Sequence, residues 1–393
     1  MNRESEADGA MPTAAVRLVA AAVAEGAVPG AVLAVGRGAN EAWSLYCAGR
    51  TRSGPEARPV TAETIFDLAS LTKIVATTPC VLRLADAGAL DLDAPLIRYL
   101  PEFAGPQHHE EVTPRHLLSH TSGLPAHRPL YALPGGIERR RAAVFAQPLD
   151  TRPGTRVCYS DLGFILLGEL VARLTGTPLD RAAHTLVFAP LGMAETGYLP
   201  TAARERYAAT EPRPDTGLAQ TGVVHDENAE ALGGVAGHAG VFGTVRDLVR
   251  YLRRGWLAED SPVLSTRIRR EALRCQTDAA GDGRRGLGWT LAGDRWDHMT
   301  AAWPDTRAGH TGFTGTSLAL DPVGGLWTVL LTNAVHLGRD HSGIIALRRT
   351  VHAAVAAWAA ATQQVGTAGA DPATRPGTTV AGYDRGIDIQ GDR

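Results

Sequence analysis

The stretch DLASLTKIV, residues 67–75, contains the only lysine of a 393-residue chain, Lys73, three positions after Ser70. The remaining 38 basic residues are all arginine. The pattern predicts a helix from about Ser70 to Ala87, and positions i and i+3 of a helix share one face. Arginine keeps its proton at any working pH, whereas a desolvated lysine can lose one. The spacing indicates a serine nucleophile beside a lysine that handles its proton, although so short a motif also arises by chance.

Two later segments carry further candidates for the same chemistry. The triplet Tyr159-Ser160-Asp161 precedes a long apolar helical pattern. A tyrosine in such a loop either offers its phenolic oxygen for proton transfer or is an ordinary packing residue. The segment HTGFTGTS, residues 310–317, reads as a glycine-rich strand. Glycine within a strand often marks close approach of a ligand or another backbone, the alternative here being a sheet edge with a bulge.

The order of the predicted elements indicates the fold class. Two strands joined by a turn occupy residues 30–50, further strands occupy residues 287–335, and the segments between them are mainly helical. We therefore expect an α+β fold in which one antiparallel sheet is built from both chain ends, is flanked by helices and carries an inserted helical lobe. Pro79 lies inside the helix that follows Ser70 and predicts a kink there.

This pattern predicts one domain over residues 14–361. Its α/β lobe would comprise residues 14–80 and 225–361, and its helical lobe residues 81–224. Residues 362–393 are rich in Gly, Thr, Pro and Asp, a composition that predicts a disordered tail.

Composition narrows the classes of partner. The net charge of −2 gives no basic surplus for nucleic acid, and no run approaches 18 apolar residues, so we expect neither nucleic-acid binding nor a membrane span. The N-terminal segment has acidic residues before its apolar run and does not resemble a signal peptide. Four cysteines scattered over the chain fit a reducing compartment. We therefore expect a cytoplasmic protein with a small-molecule partner.

Three motifs in this order, S-x-x-K, Y-x-[N/D] and [K/H]-[T/S]-G, resemble the serine β-lactamase and penicillin-binding-protein superfamily. The resemblance extends from about residue 14 to residue 360 and includes LLSHTSGLP, residues 117–125. It is stronger for the class C β-lactamase-like branch, which also contains esterases and D-amino-acid peptidases.

The resemblance implies a role for each motif. Ser70 would attack a carbonyl carbon and become acylated, while Lys73 and Tyr159 would share the proton transfers. The backbone N–H groups of Ser70 and Phe313 would form the oxyanion hole. Asp161 would hydrogen-bond to Lys73 or to substrate. Three further residues would line the substrate side, namely His310, Thr311 and Gly312.

Two departures from the family pattern affect the expected substrate. His310 stands where β-lactamases have a lysine, and a histidine is mostly neutral near pH 7. Asp161 stands where relatives often have asparagine, and its charge favours the protonated form of Lys73. We therefore expect an esterase or amidase that acts on a small acyl substrate. The alternatives are a β-lactamase or DD-peptidase (an arginine could replace the missing lysine), a catalytically silent binding protein, and a lysine Schiff-base enzyme.

No metal or cofactor is predicted from the histidine-rich segments. His116 and His120 have the i, i+4 spacing of a zinc site but lack the glutamate of H-E-x-x-H. The segment His225-Asp226-Glu227, followed by His238, either binds a metal or braces a loop over the cleft. We favour the brace and expect His238 to lie near substrate.

Overall fold

An antiparallel sheet frames the protein in the computed structural model, which describes residues 11–213, 216–278, 280–340 and 342–368. The strands of these residues are β1 Gly30–Arg37, β2 Trp43–Gly49, β3 Phe66–Asp67, β4 Phe242–Gly243, β5 Thr290–Leu291, β6 Ala308–Thr311, β7 Ser317–Leu320 and β8 Leu326–Thr332. Six of them form one sheet in the order β2-β1-β8-β7-β6-β5, and β3 pairs with β4 separately. Strand β1 therefore lies between its neighbour in sequence and a strand from the far end of the chain. The predicted α+β fold is confirmed.

Helices cover both faces of this sheet. In chain order they are α1 Thr13–Ala24, α2 Thr78–Asp86, α3 Pro114–Leu118, α4 Ile137–Phe145, α5 Asp161–Thr175, α6 Leu179–Ala183, α7 Ala189–Leu191, α8 Glu227–Ala231, α9 Val245–Arg250, α10 Thr266–Leu273 and α11 Ser342–Ala368. Helices α3 to α7 fall within residues 81–224, the segment predicted as the helical lobe.

The first and last helices pack together against one face of the sheet. Val19 of α1 and Val351 and Val355 of α11 are fully buried in the same apolar cluster as Leu33 of β1. By length and composition, residues Gly343–Thr362 of α11 would suffice to cross a membrane. Packing in this core explains that apolar composition.

The structure differs from the predicted elements in two places. Residues 91–103 lie in the segment predicted to be mainly helical, but they form only two short 3₁₀ turns, Leu96–Arg98 and Pro101–Phe103. Pro95 and Pro101 explain this, because proline lacks an N–H group and restricts the residue before it. Helix α11 extends to Ala368, into the segment predicted as a disordered tail. The rest of the predicted tail, residues 369–393, lies outside the described residues.

The helix after Ser70 has an unusual hydrogen-bond pattern. Residues Lys73–Thr77 form a π-helical turn, in which the Thr78 N–H donates to the carbonyl of Lys73, five residues back. The next donor in this pattern would be Pro79, which has no N–H group to offer Ile74. The hydroxyl of Tyr251 donates to the Ile74 carbonyl instead. A side chain from a distant helix thus completes the turn that carries Lys73, where the sequence predicted only a kink.

Candidate active site

The structure brings Ser70 and Lys73 into contact. Ser70 lies between strand β3 and the π-helical turn, and Lys73 Nζ donates to Ser70 Oγ at 3.0 Å. The lysine side chain is completely buried, whereas Ser70 lines an open cleft. The spacing of three residues thus places a hydroxyl at the cleft surface with an amine directly behind it.

Three acceptors surround the Lys73 amine. Besides Ser70 Oγ, they are Asp161 Oδ1 at 2.8 Å and the His238 carbonyl at 3.1 Å. An ammonium group has three N–H donors, so this shell matches the charged form of lysine. Burial alone would lower the pKa of Lys73, but the neighbouring Asp161 carboxylate and Tyr159 raise that pKa above its ordinary value. The resting site therefore holds a lysinium–carboxylate pair.

Tyr159 and Asp161 both reach Lys73 from one extended triplet of residues. Ser160 between them has φ −121° and ψ 121°, so the residues on either side of it point the same way. The Ser160 hydroxyl donates to the Pro125 carbonyl at 2.7 Å and accepts from the Gly163 N–H at 3.2 Å, capping α5. Lys73 Nζ lies 4.9 Å from the centroid of the Tyr159 ring. The middle residue of the motif is thus the anchor that orients its two neighbours.

The third motif forms the opposite wall of the cleft. His310 on β6 is buried, and its Nδ1 donates to the Thr311 carbonyl at 2.8 Å. Burial, followed by the charges of Lys73 and Arg285, lowers the pKa of His310 to about 3. Its imidazole is therefore neutral at pH 7, as the sequence predicted, and does not carry the charge of the lysine that β-lactamases have at this position. A side chain on Gly312 would have its Cβ 2.5 Å from the Leu68 carbonyl oxygen, so this glycine permits close approach of another backbone.

These walls enclose a cleft of about 550 Å³. Six of the nine predicted site residues line it, namely Ser70, Tyr159, His310, Thr311, Gly312 and Phe313. A groove of about 800 Å³ lies elsewhere on the surface, but its Arg115 is already paired with Asp93 and Glu271. Of these two cavities, the cleft of about 550 Å³ is the one that contains the candidate nucleophile, Ser70.

The sequence did not indicate the arginines of this cleft. The cleft is also lined by Arg285, Arg295, Arg348 and Arg349. Arg285 is paired with Asp294 at 3.0 Å. Arg348 is buried and donates to the carbonyls of Gly312 at 2.5 Å and Thr316 at 2.9 Å, and burial lowers its pKa to about 9. No sequence signal distinguished these four from the other arginines, since each reaches the cleft through tertiary packing.

The structure places His238 differently from the prediction. Its ring is buried, and Nε2 donates to Asp226 Oδ1 at 2.9 Å. Its carbonyl accepts from Lys73, so His238 supports the lysine from behind and does not face the cleft. Asp226 also accepts from the Ala229 N–H at 2.8 Å and thereby caps α8. These contacts favour the interpretation of this segment as a brace.

The predicted pair His116 and His120 also has structural contacts. His116 completes a capping box with Thr113 at the start of α3. The His120 ring lies 4.5 Å from the Tyr159 ring, and its Nδ1 accepts from the Ser160 N–H at 3.0 Å. Across the described ranges, the His and carboxylate donors close enough to share an ion are those of His108, Glu110 and Glu111, which lie toward the surface.

The chain is similar in sequence to known proteins. The Beta-lactamase family model matches residues 15–353. A putative D-alanyl-D-alanine carboxypeptidase of Escherichia coli (strain K12) is 32% identical over 310 residues, which cover 70% of each chain. An N-acetylmuramyl-L-alanine amidase of Bacillus subtilis (strain 168) is 33% identical over 302 residues, which cover 70% of this chain and 68% of the relative.

Solved structures share the fold at lower sequence identity. A class C beta lactamase from Rhodobacter sphaeroides superposes with a TM-score of 0.67 at 23% identity, covering 90% of this chain and 99% of its own. Unliganded simvastatin synthase from Aspergillus terreus superposes with a TM-score of 0.70 at 21% identity, covering 89% and 99%. At these identities the likeness concerns the fold alone.

Proposed function

Since the chain belongs to the beta-lactamase family, we propose that this hydrolase forms an acyl-enzyme on Ser70 and hydrolyses an ester or amide of a small acyl substrate. The observation that carries the proposal is the 3.0 Å contact between Lys73 Nζ and Ser70 Oγ at the wall of an open cleft. A hydroxyl needs a neighbouring base to become a nucleophile, and the contact with the lysine amine holds this hydroxyl in place at the cleft while its proton passes to that base.

The charge state of Lys73 determines the proposed order of proton transfers. Because the lysine already holds its proton, we assign the Ser70 proton to the oxygen of Tyr159 in its phenolate form. The lysinium beside Tyr159 stabilises that negative charge, and the Arg285 guanidinium, 5.8 Å from the ring centroid, adds to it. Ser70 Oγ then bonds to the carbonyl carbon, and Tyr159 returns the proton to the leaving group.

The second half of the reaction reverses these roles. A water molecule gives its proton to Tyr159 and attacks the acyl carbon, and the bond to Ser70 Oγ breaks as Ser70 regains a proton. In both halves the negative charge on the carbonyl oxygen would be stabilised by the N–H groups of Ser70 and Phe313. We further propose that the protein is cytoplasmic, in line with its free cysteines.

The arginines of the cleft favour a second candidate, a DD-peptidase or β-lactamase. Together they give the cleft a cationic lining, which would bind a substrate that bears a carboxylate. Arg348 lies beside Gly312 and has no carboxylate partner among the contacts of the described residues. It is thus placed to supply the charge that the third motif lacks at His310.

Covalent labelling tests the proposal. The protein is incubated with a fluorophosphonate and separately with a penicillin, and the adduct is located by intact mass and peptide mapping. We expect the fluorophosphonate on Ser70, with labelling lost in Lys73→Ala. No adduct from either reagent on folded protein would contradict the proposal and favour a binding protein. Trapping of a carbonyl compound on Lys73 by borohydride would favour the Schiff-base alternative.

A substrate panel then separates the two candidate functions. Short-chain nitrophenyl esters test the esterase, and a cephalosporin and D-Ala-D-Ala peptides test the β-lactamase and peptidase. Turnover of the neutral esters alone would support the leading proposal. Faster turnover of the carboxylated substrates would support the second.

A further inference from the structure

We infer that Asp67 is a positioning residue that fixes both halves of the proposed oxyanion hole. The inference rests on the proposed function, because the hole is defined by the N–H groups of Ser70 and Phe313. Asp67 touches neither the substrate cleft nor the lysine. It acts through the two backbone segments that carry those N–H groups.

The first half is held by one oxygen of the Asp67 side chain. Asp67 Oδ1 accepts from the Ala69 N–H at 2.8 Å. Ala69 has φ +47°, in the left-handed region that residues other than glycine seldom adopt. This turn sets the direction of the peptide group that follows, which is the one that carries the Ser70 N–H. The carboxylate therefore stabilises the strained turn immediately before the nucleophile.

The second half is held by two other atoms of the same residue. The Asp67 backbone carbonyl accepts from Thr314 Oγ1 at 2.7 Å, one position after Phe313. Asp67 Oδ2 accepts from the His225 N–H at 2.8 Å. The His225 ring in turn stacks on the Phe313 ring, with centroids 5.7 Å apart and planes 18° apart. Phe313 is thus connected to Asp67 through its neighbour in the chain and through its ring.

The chemistry of the carboxylate explains why aspartate occupies this position. Asp67 is buried, and no arginine or lysine pairs with it in the part of the chain that the structure describes. A buried carboxylate without a counter-charge is costly, so a purely structural role would favour a neutral residue. Asparagine could accept only one of the two N–H groups, because its NH₂ group would face the other. Only a carboxylate holds the Ala69 and His225 N–H groups together.

The test compares Asp67→Asn with a matched variant, Asp247→Asn. Asp247 is also a buried carboxylate that accepts from a backbone N–H, that of Glu195 at 2.8 Å, but it does not line the cleft. Each variant is measured for thermal stability, for kcat and KM on a nitrophenyl ester, and for inhibition by phenylboronic acid. The boron of this inhibitor bonds to Ser70 Oγ, whose proton passes to the base, and the tetrahedral anion occupies the oxyanion hole.

We expect a selective effect on the transition state. Asp67→Asn should lower kcat by about tenfold to hundredfold and weaken phenylboronic acid by a similar factor, with KM within about threefold of wild type. Asp247→Asn should lower the melting temperature but leave kcat and inhibitor affinity within about threefold. If Asp67→Asn does not fold, Thr314→Val tests the same inference by removing only the hydroxyl contact, and we expect it to lower kcat selectively.

The possible outcomes distinguish a failure of this inference from a failure of the proposed function. Wild-type protein that forms no fluorophosphonate adduct overturns the proposed function and the inference together. Wild-type protein labelled on Ser70, with Asp67→Asn and Thr314→Val both matching Asp247→Asn in kcat and inhibitor affinity, overturns the role of Asp67 alone. A selective loss in Asp67→Asn supports it, as does a selective loss in Thr314→Val where Asp67→Asn does not fold, whereas a folded Asp67→Asn with unchanged kcat and inhibitor affinity overturns the role of the carboxylate.

Discussion

Replacing Asp161 with asparagine should convert Lys73 from a permanently charged group into one that titrates. The substitution removes the carboxylate oxygen 2.8 Å from Lys73 Nζ. At that distance and an effective dielectric constant of about 20, the lost attraction is about 6 kcal/mol, which is an upper bound. Because an opposite charge shifts a pKa by about 1 to 3 units in practice, we expect the Lys73 pKa to fall by that much.

The sign of the effect on activity follows from the proposed role of Lys73. A lysine is charged below its pKa, and the charged form is the one that would stabilise a Tyr159 phenolate. In wild type the raised pKa keeps Lys73 charged throughout the working range. In Asp161→Asn, only Tyr159 still offsets the effect of burial on the pKa of Lys73, so kcat/KM should decline as pH rises through the lowered pKa.

The single lysine of the chain gives a direct assay. Protein labelled with ¹³C at lysine Cε has one side-chain resonance, that of Lys73. We expect this resonance to stay constant in wild type as the pH rises to about 10.5, the ordinary lysine pKa, and to titrate at a lower pH in Asp161→Asn than in wild type. Asp247→Asn is the control and should leave the resonance unchanged. Higher activity of Asp161→Asn at neutral pH, together with a titrating lysine, would refute the assignment of the proton to Tyr159.

Two further predictions concern other contacts of the site. Tyr251→Phe removes the hydroxyl that donates to the Ile74 carbonyl and should lower the free energy of unfolding in urea by about 1–3 kcal/mol. The control, Tyr131→Phe at an exposed ring, should leave that free energy unchanged. Equal urea midpoints for the two variants would show that the Ile74 carbonyl has another partner. Arg348→Gln should raise KM for a carboxylated D-Ala peptide by about tenfold or more and leave a neutral ester unaffected; a parallel loss on both substrates would assign Arg348 to structure instead.

The sequence predicted those features of the site that depend on residues close together in the chain. Ser70 and Lys73 are separated by less than one helical turn, and Tyr159 and Asp161 by one residue of extended chain. In both cases the spacing alone fixes which side chains share a face. The order of the three motifs then indicated the family, and the order of the predicted strands indicated the sheet that brings the motifs together.

The parts that could not be predicted depend on distant contacts. Arg348 comes from a helix that reads as an ordinary amphipathic element, and only packing of α11 against the sheet brings it beside Gly312. Tyr251 replaces a hydrogen bond lost at Pro79, a relation that no local pattern reveals. His238 was predicted to lie near substrate, next to a segment that braces a loop over the cleft, whereas in the structure its carbonyl accepts from Lys73.

The order of strands in the main sheet has a consequence for synthesis of the chain. Strand β1 pairs with β8, so Val32 lies opposite Leu331, roughly 300 residues later. At ribosomal rates of about 5–20 residues per second, the nascent hairpin of β1 and β2 exists for roughly 15–60 s before its partner emerges. During that time the inner edge of β1, whose residues 31–35 are almost entirely buried in the finished protein, presents unpaired backbone groups and apolar side chains. We therefore expect the nascent chain to be most vulnerable to aggregation before its last sheet strand is made.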